Sequence, residues 1–155
     1  MKATDLLAML LLSVVLSGCA SYQAGGYVQS GVQALLAGNN QTALSYLQAA
    51  AQQDPSYIYD VQLNLGVLSY LGRAQYLTES YPQARQTLEK ALAQNTDDNL
   101  ARLYLGLTQA RIGDDQAALK NIEASMKQLN GWLNYFRALP WAGLSGSRRK
   151  KHSRR

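Results

Sequence analysis

One register of small and large residues recurs three times between Tyr27 and Ser125, and it limits what this chain can fold into more than any other feature. In the third copy, Leu105-Gly106 is followed twelve residues later by Ala118 and then by Ile122 and Ser125. The first copy has Gly31, then Ala43-Leu44 at the same distance, then Leu47, Ala50 and Pro55. The middle copy reads Leu65-Gly66, then Ala84, Leu88 and Ala91. A pattern of this kind at a period of roughly 34 residues marks a stack of helix-turn-helix units. Its physical basis is close packing. Gly31, Gly66 and Gly106 fall where the two helices of a unit cross, and Ala43, Ala84 and Ala118 are their small counterparts. Leu47, Leu88 and Ile122 fill the space between neighbouring units.

The middle copy is irregular. Eighteen residues separate Gly66 from Ala84, against twelve in the other copies. Two readings stand: one overlong helix over Tyr57–Thr78, or a break at Gly72 into a helix and a bulged loop. Its extra residues, Leu71 to Leu77, are apolar enough to form a partner contact or to pack against the first unit. Asn39, Ser80 and Asp114 share one place in the three copies, and each residue type suits the N-cap of a following helix.

These positions resemble the tetratricopeptide repeat, whose pattern places a Leu-Gly pair in the first helix and Ala, a large residue, a second Ala and Pro in and after the second. The resemblance implies an all-α, right-handed superhelix of three repeats, about 27–56, 57–96 and 97–129, closed by a capping helix or segment over 130–144. It also implies a concave groove lined by the first helices, at Val28, Val32, Leu63, Val67, Leu103 and Leu107. The family's peptide-carboxylate clamps carry Lys, Asn or Arg at such places. An aliphatic set predicts instead an apolar or amphipathic helical segment of a partner protein. The Trp132–Leu144 segment folding back, or a homodimer burying the same face, are the alternatives.

The N-terminus has a different character. Residues 1–18 read as a signal peptide: Lys2, an apolar run from Leu6 to Leu16, then Leu16-Ser17-Gly18 before Cys19, the single cysteine of the chain. The run is too short to span a bilayer, and Leu16 to Cys19 resembles a bacterial lipobox. Acylation of Cys19 would anchor the chain, with residues 19–26 as tether. Ala20, where Asp would favour the inner membrane, points by resemblance to an outer-membrane anchor with the folded part facing the periplasm.

The charge balance sits at the other end. Of fifteen Lys and Arg, six lie in the last eight residues: Arg148, Arg149, Lys150, Lys151, Arg154 and Arg155. The rest of the chain is close to neutral, so the basicity belongs to a tail, 145–155, expected to lack fixed structure. Such a cluster suits anionic lipid or an acidic envelope polymer, which would make the chain an envelope structural protein binding through its tail, and a solvated extension that keeps it soluble is the alternative. Nucleic acid is out of reach of an exported protein. Catalysis finds no support: the one His, His152, lies in this tail, and one Cys with one His makes neither a zinc set nor a nucleophilic triad. Asp97-Asp98 and Asp114-Asp115 read as helix-start residues complementing the dipole. No cofactor is expected. The family role implied is a non-enzymatic adaptor in assembling an envelope machine such as a pilus, secretion channel or cell-wall complex.

Overall fold

A computed structural model describes residues 22–138. The expected signal peptide 1–18, Cys19, residues 139–144 and the tail 145–155 with its six cations lie outside this range. Within it stand six helices: α1 (22–36), α2 (Asn40–Gln53), α3 (Val67–Leu77), α4 (Tyr81–Gln94), α5 (Asn99–Arg111) and α6 (Asp115–Ala138). Two short strands, β1 (Ile58–Asp60) and β2 (Leu65–Gly66), pair antiparallel between α2 and α3. The helices form three pairs, and the fold is an all-α helical repeat.

Each pair is joined by the same tight turn. Asn39, Ser80 and Asp114 donate their backbone N–H to the carbonyls of Ala34, Gln75 and Gln109 at 2.9, 2.8 and 2.9 Å. The residue before each is left-handed: Gly38 (φ 77°), Glu79 (φ 61°) and Gly113 (φ 83°). This is the bonding of a helix closed by one left-handed residue. Glycine takes that conformation freely, whereas Glu79 carries a Cβ penalty. Asn39, Ser80 and Asp114 then open α2, α4 and α6 as expected, but their side chains contribute unequally. Asp114 accepts from the Ala117 N–H at 3.4 Å, while Asn39 and Ser80 cap through their backbone carbonyls alone.

The packing corrects the middle repeat. A Cβ on Gly31 would stand 2.6 Å from Leu47 Cγ, one on Gly106 would stand 2.8 Å from Ile122 Cγ1, and one on Gly72 would stand 2.4 Å from Leu88 Cγ. A Cβ on Gly66 would meet only the Tyr57 carbonyl, at 3.5 Å. Gly72, twelve residues before Ala84, is therefore the crossing glycine, and Gly66 is a strand residue. The helix pair has ordinary length, and the extra residues lie before it. Tyr57–Gly66 is a hairpin and no part of a helix. Ile58 pairs with Gly66 and Asp60 with Leu65, while the Val67 N–H bonds the Tyr57 carbonyl at 2.9 Å. Asp60 Oδ1 accepts from the Gln62 and Leu63 N–H groups at 3.0 and 2.9 Å, and Asn64 is left-handed (φ 52°). A side chain that bonds the backbone two and three residues on competes with helix, and Tyr57-Ile58-Tyr59 favours extended chain.

Two more boundaries move. Residues 22–26 belong to α1: Ala24 is fully buried, and Gly25 lies so close to the Tyr57 hydroxyl that a Cβ there would come within 2.7 Å. Residues 130–138 form no separate cap. They continue α6 without interruption through Asn130-Gly131, a pair that weakens a helix but does not bar it as Pro140 does. The core runs through all three pairs, from Val28, Leu44 and Leu47 to Leu68, Leu71, Leu88, Ala101 and Leu105.

Candidate partner-binding groove

Shifting the middle register by six residues changes which side chains occupy the groove places. Val28 and Val32 lie three before and one after Gly31, and Leu103 and Leu107 stand likewise about Gly106. About Gly72 the equivalents are Ser69 and Arg73, not Leu63 and Val67. Val67 is fully buried, and Leu63 sits half-exposed at the hairpin tip. Val28 and Ser69 are also fully buried, which takes them out of contact with any partner. Val32, Arg73, Leu103 and Leu107 keep partial exposure.

Arg73 gives this face its chemistry. Its guanidinium lies 5.7 Å from the ring centroid of Tyr104 on α5, a cation–π distance. Its Nε is buried with no hydrogen-bond partner. Among the described residues the ion pair is Arg85 with Glu89, elsewhere on α4, so no carboxylate of the fold neutralises Arg73. Around it stand tyrosines. Tyr76 meets Tyr104 edge to face at 5.5 Å, Tyr76 and Tyr81 are 5.7 Å apart, and Arg111 Nε donates to the Tyr76 hydroxyl at 3.4 Å. Tyr70, edge to face with Tyr59 at 5.5 Å, has its pKa pushed up to about 12, first by burial and then by Asp60, Tyr59 and Asp98, with Arg73 opposing. Tyr70 is thus a neutral phenol.

The surface is therefore cationic and aromatic at its centre, with Val32 and Leu107 to either side. The aliphatic groove expected over all six places is corrected: one of the two middle places holds Arg73, which was missed because the register was anchored on Gly66. The pair Leu71-Gly72 was the signal that could have found it.

Below this face α3 and α5 are locked by Asp98, the N-cap of α5. Its Oδ1 accepts from the Ala101 N–H at 2.8 Å and its Oδ2 from the Ser69 hydroxyl, while the Gly66 and Leu100 N–H groups also favour its charged form. Asp98 is 1% exposed, and burial outweighs these donors, leaving its pKa raised. The helix-start role expected of Asp98 holds. Asp114 and Asp115 take the same kind of place at the start of α6.

A family model described as tetratricopeptide repeat matches residues 34–112. The chain belongs to the tetratricopeptide repeat family. The match spans α2 to α5 with the hairpin between them, so the insertion is accommodated inside a recognisable repeat array. No curated protein matches the chain. Tetratricopeptide repeats generally mediate protein–protein contacts and are generally non-catalytic scaffolds, which supports a scaffold role here. Among the described residues no group of three His, Cys, Asp or Glu side chains could hold a metal ion, and no helix is long and apolar enough to cross a membrane.

Proposed function

We propose that this tetratricopeptide repeat protein is a lipid-anchored adaptor of the bacterial envelope. Cys19 tethers it to the outer membrane, and the shared face of α3 and α5 grips a segment of an envelope protein being assembled into a larger machine. The observation that carries the binding side is Arg73. The Arg73 guanidinium lies 5.7 Å from the Tyr104 ring with its Nε unpartnered, and its charge and forked donors suit a carboxylate. Val32 and Leu107 supply flanking apolar contact. The partner segment is amphipathic and bears an Asp, a Glu or a terminal carboxylate opposite Arg73. The lipobox-like Leu16-Ser17-Gly18-Cys19 and Ala20 support the anchoring side.

The test is photo-crosslinking in living cells from a probe at Leu107, with and without Arg73→Glu. A discrete adduct with one envelope protein is expected, and charge reversal should weaken it by about 2 kcal/mol or more, roughly 30-fold in affinity. Adducts confined to the protein's own chain, or an adduct indifferent to Arg73→Glu, would sink the reading.

A further inference from the structure

The last helix is longer than its repeat requires, and its own fold covers only part of its apolar surface. α6 packs on α5 and the connector before it through one face. A Cβ on Gly106 would meet Ile122, Ser125 Oγ donates to the Asn99 carbonyl at 3.4 Å, and Gln128 Nε2 donates to the Asp97 carbonyl at 2.8 Å. α5 begins at Asn99, so α6 continues past it, and there Leu129 and Trp132 share a cavity of about 260 Å³ with Leu63 and Leu65 of the hairpin. A second stripe has no cover. Leu119, Met126, Leu129 and Leu133 stay 43–63% exposed. With Ile122 they follow one another at alternating steps of three and four residues. That is the spacing of a coiled-coil seam, and it lies on the free end of the stack, where a repeat array needs a cap.

We infer that this stripe is covered by α6 of a second copy, packed antiparallel about a two-fold axis close to Asn130. The flanking charges carry the choice. With Leu119, Met126 and Leu133 at the a places of a heptad, the e places are Glu123, Asn130 and Arg137, all exposed. The g places begin with Ala118 and Ser125, both buried. The e side is therefore the side open to a neighbour, and e faces e where two helices run antiparallel. Glu123 and Arg137 stand seven residues to either side of Asn130. One two-fold axis thus sets Glu123 of each copy against Arg137 of the other, the self-complementarity that an isologous contact requires. Among the described residues neither forms an ion pair within its own chain. The same register places Leu129 of each copy against Leu133 of the other. It also keeps the two stacks apart, because α5 covers only the first half of α6 and the two first halves lie at opposite ends. A parallel pair would set Glu123 against Ala118, which is buried. This inference stands apart from the groove reading, because Arg73 and Leu107 lie outside the stripe.

Sedimentation equilibrium of the full chain, solubilised in density-matched detergent, tests it. Expected is twice the mass of one chain. Leu133→Gln, at a half-exposed site that spares the core, should return a single-chain mass with the helical circular dichroism intact. Glu123→Arg and Arg137→Glu each set like charges across the axis, and each should weaken the dimer by about 10-fold or more. Combining the two exchanges the signs and should restore the dimer. A single-chain mass for the unaltered protein throughout the concentration range overturns the inference. So does a dimer indifferent to Leu133→Gln, which would place the contact on another face. Charge variants that the combination does not rescue overturn it too, by contradicting the antiparallel register.

Discussion

Gly72 and Gly66 are six residues apart in one stretch of sequence, and their neighbours give them opposite roles. At Gly72 the Leu88 side chain fills the space a Cβ would take, so Gly72→Ala must push Leu88 off its rotamer. Overpacking of this kind costs about 1–3 kcal/mol. Gly66 has φ −90° and room for a methyl group at ordinary contact distance. Gly66→Ala is expected to change stability by less than about 0.5 kcal/mol. Chemical denaturation of both variants decides between the two registers. Equal losses would contradict the crossing role given to Gly72. The same shift makes Arg73 a groove residue, so one misplaced glycine changed the chemistry read from the chain.

Among the elements, α5 depends most on a single side chain. Asp98 ends the Asn95–Asp98 connector, caps α5 and receives the Ser69 hydroxyl of α3, joining consecutive repeats at one carboxylate. Asp98→Ala orphans buried donors and is expected to cost about 1–3 kcal/mol. The pH dependence has a definite sign. Burial raises the Asp98 pKa above its ordinary 3.8, so just above that value the folded state holds a proton that the unfolded state has released. The contribution of this group is fully present below the unfolded pKa and declines as pH rises through the folded one. Denaturant titrations should therefore show the gap between wild type and Asp98→Ala narrowing from acid toward neutral pH. A gap that widens would mean the four donors outweigh desolvation. The hairpin shows a different dependence. Asn95 Nδ2 donates to the Asn64 carbonyl at 2.8 Å, so the connector before α5 also holds the hairpin's left-handed residue.

For the whole molecule, the charge separation bears on the proposed anchoring. The repeat array is near neutral, and six cations are gathered in the last eight residues of the sequence. A single acyl chain binds membranes only reversibly, and the lipoprotein-type modification proposed for Cys19 would supply more than one. Cys19→Ala is accordingly expected to move the protein from the membrane pellet to the soluble fraction. Unchanged fractionation would end the anchor assignment.

The helix pairs of the first and third repeats were legible in the sequence because their constraint is local: a glycine faces the large aliphatic residue sixteen positions on where the two helices of a pair cross, Gly31 against Leu47 and Gly106 against Ile122. The same holds for the turns, where Gly38 and Gly113 supply the left-handed residue directly. The middle repeat was not legible to the same depth. Both Leu65-Gly66 and Leu71-Gly72 stand before Ala84; the twelve-residue spacing favours Gly72, and the position of Leu88 against it decides. The hairpin depends on Asp60 and Asn64 bonding backbone within an insertion, a competition that period alone does not score. What the sequence by itself determined was the repeat, its all-α class and the segregation of charge. Tertiary structure alone decided that Arg73 lies beside Tyr104 with an unpartnered Nε, and that the hairpin and α6 share a cavity. Both follow from which surfaces the packed repeats leave uncovered, and no spacing along the chain encodes that.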